Sequence, residues 1–283
     1  MNKNRKITGL ITLFLIGFHF SLNAQPYLSV AGLTGWSIPG QNVGQPNESY
    51  FLLNANVPLS FGNGNLILFS PFSDLRTISG YDNAENLKLD GNGIFTSYVR
   101  YNSDSSKNFI GGLVVHNYSD GYNFSDNTYQ IGGTILYSLK LNKKLTIKPG
   151  LYYNSEFFSD FFLPILGLDW RPYSNLKVFG ILPRLLVVEQ KISASWYTGI
   201  RFRAFITSYR LEENEKAYVK LQDRQLTMFI EKYFFNNIVI SLQGGVSIDR
   251  ELIARNSSSL ASINYKNISP ILKGGIYYRF RTD

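Results

Sequence analysis

The sequence predicts an all-β protein, a closed antiparallel transmembrane β-barrel of about fourteen strands, with twelve as the alternative count. Three observations predict it. Apolar and polar residues alternate with a period of two, the alternating segments are long, and short turns alternate along the chain with longer loops. Strands of soluble proteins usually have about 5 to 6 residues, whereas transmembrane strands need about 9 to 11. The long segments therefore favour a barrel in a membrane over the remaining alternative, an exported soluble β-sandwich.

The first 24 residues have the layout of a secretory signal peptide. A basic start is followed by an apolar stretch from Ile7 to Leu22 and by the small residue Ala24. The apolar stretch is shorter than the ~20 residues that a membrane-spanning helix needs. We therefore expect cleavage after Ala24 and a barrel domain over residues 25–283.

The alternation is clearest in five segments. They are residues 51–61, 129–141, 145–153, 196–206 and 238–248. The breaks between strands are rich in Asn, Gly, Asp and Ser, as turns require. Short turns are predicted at 62–65, 102–108, 142–144, 172–175, 191–194 and 235–237. Longer loops are predicted at 39–48, 73–91, 119–127, 154–162, 208–217 and 250–268, with a tight corner near Pro183. This asymmetry is typical of outer-membrane barrels, which have short periplasmic turns and long extracellular loops.

Composition excludes several classes of protein. Charged residues make up 17% of the chain and aromatic residues 15%, which is not the composition of a disordered protein. The chain has no cysteine, so a disulfide scaffold, a Cys-based zinc site, an iron–sulfur cluster and a lipid anchor on Cys are excluded. The net charge of +8 invites a nucleic-acid interpretation. We expect no nucleic-acid partner, because acidic residues concentrate in the longer loops and basic residues on one face of the strands.

Aromatic residues near strand ends indicate the membrane boundary. Trp36, Trp170 and Trp196 lie on the apolar phase of their strands, and we expect all three at the membrane interface, where indole rings concentrate. Phe280 closes an alternating terminal strand and belongs to the same expected set. A terminal strand of this kind resembles the signal read by the barrel-assembly machinery, which is an expected partner together with outer-membrane lipid and lipopolysaccharide.

Three segments resemble an uncharacterised family of Gram-negative outer-membrane β-barrels. They are residues 145–153, 164–171 and 178–183, in a chain whose signal peptide ends in Ala-Gln. The resemblance implies the fold and a location in the outer membrane of a Gram-negative bacterium. It implies no substrate and no functional residue.

The polar phase of the strands predicts a basic lumen. The inward basic residues are expected to be Arg100, Lys140, Lys148, Lys177, Arg201, Arg203, Lys273 and Arg279. Only Asp169 and Asp249 oppose them in the strands whose phase is clear, so the interior is expected to favour anions. In the alternative, carboxylates such as Asp223, Glu231 and Glu251 pair with these bases and fill a plugged barrel. Fourteen strands lie between the filled barrels of about eight and the open channels of 16 to 18.

The leading functional hypothesis is a passive channel or small-solute transporter. A non-conducting structural or surface-interaction barrel is the alternative, and a membrane-embedded lipid hydrolase using His116 is third. His116 is the only histidine of the expected mature chain and lies in no nucleophile motif. The sequence has no His or Cys cluster for a metal, no phosphate-binding GxxxxGK[ST] loop and no HExxH motif. We predict no catalytic residue, metal or cofactor, and therefore no enzyme.

Overall fold

The computed structural model describes most of the predicted barrel domain. The described residues are 27–40, 46–61, 64–80, 86–101, 106–121, 125–212, 216–255, 260–265 and 268–281. The signal peptide predicted over residues 1–24 lies outside them. No helix in these ranges is long and apolar enough to cross a membrane.

All the strands belong to one sheet. They are β1 (Tyr27–Ile38), β2 (Asn47–Ala55), β3 (Val57–Ser60), β4 (Leu66–Ser79), β5 (Leu87–Tyr101), β6 (Lys107–Ser119), β7 (Tyr129–Lys140), β8 (Leu145–Glu156), β9 (Ser159–Tyr173), β10 (Leu176–Leu182), β11 (Leu185–Lys191), β12 (Trp196–Arg210), β13 (Tyr218–Phe234), β14 (Ile238–Arg255), β15 (Leu260–Tyr265) and β16 (Ser269–Arg281). A short 3-10 helix, Asp126–Thr128, precedes β7.

The sheet closes on itself. Consecutive wall strands pair antiparallel, and β1 pairs with β16 to complete the ring. β2 and β3 both pair with β4 and form one interrupted wall strand, while β15 pairs only with the loop-side end of β14. The wall therefore has fourteen strands, so the predicted closed barrel is confirmed and the count of twelve is excluded.

The two faces of the wall differ in polarity. Large apolar side chains such as Leu151, Phe162 and Met228 are exposed on the outer face, at 62%, 75% and 69%. Polar side chains such as Gln130 and Thr227 are buried on the inner face, at 1% and 2% exposed. A barrel in water has the opposite arrangement, so this polarity is that of a barrel surrounded by lipid.

Some connections are shorter than the sequence predicted. The loop predicted over 73–91 contains wall strand, because β4 continues to Ser79 and β5 begins at Leu87. The loop predicted over 154–162 is reduced to a turn at 157 and 158. In both places polar residues suggested a loop, but residues such as Asp74 and Arg76 face the barrel interior and are buried.

The wall of the barrel is shortest at the hairpin of β10 and β11, which ends well below the loop-side ends of the neighbouring strands. Each of its strands has only 7 residues, and they meet at the predicted tight corner, Pro183 and Arg184. Gly180 lies in this hairpin with a φ of +149°, a conformation that other residues rarely adopt. A Cβ at Gly180 would lie 2.2 Å from the backbone oxygen of Leu185, so the tight hairpin requires a glycine there.

Candidate functional site: the barrel interior

The loop-side half of β12 leaves the wall and enters the barrel. Its ladder with β11 ends where the Ala204 amide donates to the backbone oxygen of Arg184 at 2.9 Å. Near the turn-side end of β12, the residues that alternate in step with Ser208 lie on the outer face. Ser208 itself is completely buried. Its amide donates to Glu156 Oε2 at 2.9 Å, and Gln130 Nε2 donates to its hydroxyl at 2.9 Å. Because Gln130 and Glu156 belong to the inner side of β7 and β8, this half of β12 is inside the barrel.

The opposite side of the same segment packs against β4, β5 and β6. The ring of Tyr209 lies 4.9 Å from that of Tyr118, and its hydroxyl donates to Asp74 Oδ2 at 3.3 Å. Apolar residues of β4, β5, β12, β13 and β14 meet here in one buried cluster: Ile78, Leu89, Tyr209, Leu211, Ala217, Val219, Leu221 and Leu252. We name residues 205–211 and 217–221 the cap. Within the described part of the chain, the cap closes the loop-side end of the barrel.

Below the cap lies a central cluster of cations and aromatic rings. Trp36 stacks on Tyr50 with ring centroids 3.6 Å apart. The guanidinium of Arg203 and the ammonium of Lys273 lie 5.2 and 5.0 Å from the Trp36 ring, and Arg76 lies 4.8 Å from the Tyr50 ring. Such distances allow cation–π attraction, which is strongest for indole. The cluster fills the middle of the barrel.

The expectation for Trp36 is wrong. This side chain is 4% exposed and lies inside the barrel, not on the surface that faces lipid. Its neighbour Ile38 is also buried, so the inner face of β1 is itself apolar near the loop end. The sequence could not separate the two faces there, because both carry apolar residues.

Buried carboxylates pair with many of the inward bases. Arg279 Nη1 donates to Glu231 Oε2 at 2.6 Å, and Arg201 Nη2 lies 3.7 Å from Glu231 Oε1. Arg281 Nη2 donates to Glu189 Oε1 at 2.6 Å. These contacts join different strands near the turn-side end, so that end of the lumen is filled by ion pairs.

A second group of ion pairs lies beside the cap. Glu48 pairs with Arg76 and, at 3.4 Å, with Arg250 Nε. Lys273 Nζ donates to Gln225 Oε1 at 2.5 Å, and Gln225 Nε2 donates to Asp223 Oδ2 at 2.6 Å. The inward acids thus reach from one end of the lumen to the other.

Seven of the eight predicted lumen bases lie on the inner face. Lys148, Lys177, Arg201, Arg203, Lys273 and Arg279 are buried or partly buried there, and Lys140 is exposed at the turn-side end. Arg100 contradicts its prediction, because it pairs with Phe109 on the outer face and is exposed. A long cationic side chain at the edge of a membrane can extend to water, which explains why Arg is tolerated there.

The two acidic residues that were predicted to face inward lie on different faces of the wall. Asp169 is buried on the inner face, 3.7 Å from Arg171. Asp249 lies at a β-bulge with a φ of +53° and forms an exposed ion pair with Arg224 on the outer face. A bulge adds one residue to a strand and so moves the following side chains to the other face. The alternation of apolar and polar residues does not show where such a bulge occurs.

Three predicted interface aromatics lie on the outer face near the turn-side end. Trp170 is 44% exposed, and Lys232 Nζ lies 4.6 Å from the ring of Trp196. Phe280 packs edge-on against Tyr278 with centroids 5.1 Å apart. A position at the membrane interface stays a prediction for these residues.

His116 lies on the inner face beneath the cap. It is 6% exposed, its Nε2 donates to Gln130 Oε1 at 2.7 Å, and its ring stacks on Tyr118 at 4.6 Å. These described contacts supply an amide and a phenol ring, neither of which is the hydroxyl or thiol nucleophile that acyl transfer needs. No group of three metal-ligating side chains occurs in the ranges that the structure describes.

Several interior residues were not found from the sequence. Glu48 and Asp74 fall in segments predicted as loops, and Glu189 lies in a strand whose phase was unclear. One signal was present for Glu189, because Lys177 stands directly opposite it on the neighbouring strand. Opposite charges at such cross-strand positions stabilise a sheet, so the pair indicates a shared face.

A closed barrel with an apolar outer face and a charged interior defines an outer-membrane-type β-barrel. The sequence matches no protein-family model and no curated protein. Among solved structures, the KdgM porin is 10% identical with a TM-score of 0.37, and the match covers 87% of this chain and 98% of the porin. The translocator domain of the autotransporter NalP from Neisseria meningitidis is 12% identical with a TM-score of 0.41, covering 98% and 96%. The TodX monoaromatic hydrocarbon channel is 7% identical with a TM-score of 0.38, covering 89% of each. At these values the likeness carries no information on substrate or mechanism.

Proposed function

We propose that this protein is a Gram-negative outer-membrane barrel of the channel or transporter class, closed in the described state by the cap. The apolar outer face supports a membrane location, since it requires lipid around it. Both ends of the described barrel, Tyr27 and Arg281, lie beside the short turns, as expected when those turns face the periplasm. Lipid and lipopolysaccharide would surround such a barrel, and the barrel-assembly machinery would insert it.

The burial of Ser208 is the observation that carries this proposal. The backbone ladder of the cap is with β13 and its Arg210 bridges to β6, whereas on the side of β7 and β8 side-chain hydrogen bonds centred on Glu156 hold the cap. Each such bond contributes only about 0.5–1.5 kcal/mol, or somewhat more when it involves a charged group. The wall, in contrast, is joined by continuous ladders. Opening would therefore break the contacts with β7 and β8, and we propose that the loop-side halves of β12 and β13 move together away from these strands as a gate.

The charge of the passage favours anions. Arg203 has no ion pair with a described carboxylate and contacts Trp36 and Phe205 through its guanidinium. Arg201 shares Glu231 with Arg279, so two cations face one carboxylate. Inward carboxylates without a described ion pair, such as Asp74 and Asp223, offset part of this charge, so the proposed anion preference rests on Arg201 and Arg203 in the middle of the passage.

Conductance in planar lipid bilayers tests the proposal. We expect the wild-type protein to be mostly closed, with rare anion-selective openings. The double substitution Glu156→Gln and Ser208→Ala removes the hydroxyl contacts and the carboxylate charge that hold the cap to β8, and should raise the open fraction at least tenfold. Asp249→Asn, at the exposed ion pair on the outer face, is the matched control and should leave the open fraction unchanged.

The second candidate is a non-conducting structural barrel. The ion pairs of Glu231 and Glu189 favour it, because they fill the turn-side end of the lumen. Absence of current from both the wild-type protein and the double variant, with folding verified, would replace the transport proposal with this one. Cation-selective current that persists after Arg203→Glu would contradict the anion preference alone.

A further inference from the structure

The short β10–β11 hairpin leaves an opening in the side of the barrel. β9 pairs with β10 only up to Leu166, opposite Leu182. β12 pairs with β11 and its corner only up to Ala204 and then enters the lumen. Among the described strands no ladder joins residues 159–165 of β9 to residues 205–210 of β12. We name the space between these two segments, above Pro183 and Arg184, the side opening.

The side opening overlaps the apolar belt of the barrel. On β9 the exposed apolar residues continue above Leu166 to Phe162, which is 75% exposed. Ile131 of β7 is 52% exposed. It lies at a similar height in the barrel, because its amide donates to Ser155 of β8, and Ser155 stands opposite Asp160 of β9. A transmembrane strand needs about 9 to 11 residues, and β10 and β11 have 7 each. The lower part of the opening therefore faces lipid rather than water.

The inner end of the side opening is cationic. Arg184, at the top of the hairpin, is exposed and has no described side-chain partner. Its backbone oxygen accepts the Ala204 amide at 2.9 Å, and the next residue, Leu185, stands opposite Arg203 of the inner face. Its exposure and its place in the turn of the hairpin put Arg184 at the lower edge of the side opening.

The rim of the side opening is apolar. Phe161, Leu163 and Ile165 of β9 lie on one side, and Ile206, on the same phase of β12 as Ser208, lies on the other. The β8–β9 turn bounds the opening above, because the Phe157 amide donates to the Ser208 hydroxyl at 3.0 Å. An opening bounded above by this turn and below by the hairpin favours one alkyl chain over the many chains of lipopolysaccharide.

We infer that the side opening binds a single-chain anionic amphiphile of the carboxylate class, with its head group on Arg184 and Arg203 and its alkyl chain between β9 and β12. The planar guanidinium matches a carboxylate through two parallel hydrogen bonds. The apolar rim buries methylene groups that would otherwise contact water or head groups. This binding site does not require that the barrel conduct, so its test is separate from that of the gate.

Equilibrium binding of laurate to the purified full-length mature protein in nonionic detergent tests the inference. We expect saturable binding of one laurate, at least tenfold weaker binding of the uncharged dodecanol, and progressive weakening as the acid is shortened to eight carbons. Arg184→Gln should weaken laurate binding about tenfold or more, because it removes a charge-assisted contact. Arg100→Gln, which removes an exposed arginine from the opposite end of the outer face, is the matched control and should bind laurate like the wild type.

Three results would overturn the inference. Equal binding of laurate and dodecanol would show that no cation takes part. Unchanged affinity in Arg184→Gln would place the head group elsewhere. Bound laurate can be displaced by added phosphatidylglycerol or by added laurate. If phosphatidylglycerol displaces it at the lower concentration, the occupant is a membrane phospholipid.

Discussion

At the scale of single residues, Glu231 is a buried carboxylate that two cations share. Its side chain has no exposed surface and is shared by Arg279 and Arg201. We expect Glu231→Gln to destabilise the folded barrel by about 3–5 kcal/mol, because it leaves two cations buried without their carboxylate. The free energy of unfolding in urea, measured on protein folded into lipid vesicles, checks this value.

The exposed pair of Arg224 and Asp249 provides the control for Glu231. Both side chains are about half exposed, at 50% and 57%. Asp249→Asn should change the free energy of unfolding by less than about 1 kcal/mol, since solvent screens the pair. Similar losses in the two variants would show that burial does not set the strength of these ion pairs.

At the scale of elements, the β10–β11 hairpin depends on Gly180. Alanine at this position combines an unfavourable φ with a clash against the Leu185 carbonyl oxygen. We expect Gly180→Ala to lower the free energy of unfolding by about 1–3 kcal/mol. Gly274→Ala is the control, because a Cβ at Gly274 meets nothing within 4 Å, and it should be nearly neutral. A neutral Gly180→Ala would mean that the hairpin relaxes without loss.

The elements also show how far the sequence could predict the structure. Alternation located the wall strands and the short turns because one face contacts lipid and the other does not. It failed at residues 73–91, where Asp74 and Arg76 are inward and look like loop residues. It failed again at Ser208, because nothing local in β12 shows that the strand leaves the wall. Contacts with Glu156 and Asp74, distant in sequence, decide its course.

At the scale of the whole molecule, the apolar outer face predicts how charge is tolerated. Leu242 lies in the turn-side half of β14, on the apolar outer face, and is 59% exposed. Leu242→Arg should destabilise the barrel in lipid by about 2–4 kcal/mol, whereas Ile192→Arg, in an exposed turn, should cost about 0–1 kcal/mol. Unfolding titrations from lipid vesicles measure both. Equal effects of the two substitutions would contradict the proposed position of the membrane.

The pairing of β1 with β16 joins the two ends of the described chain. Tyr27 stands opposite Arg281, and Thr34 hydrogen-bonds Tyr277 across 243 residues of sequence. Contacts of such separation form late, because the entropy of closing the intervening chain must be overcome first. Until the last strand is in place, two unpaired strand edges remain and can pair with other chains. The pairing of β16, a strand of 13 residues, therefore determines when this protein stops being prone to aggregation.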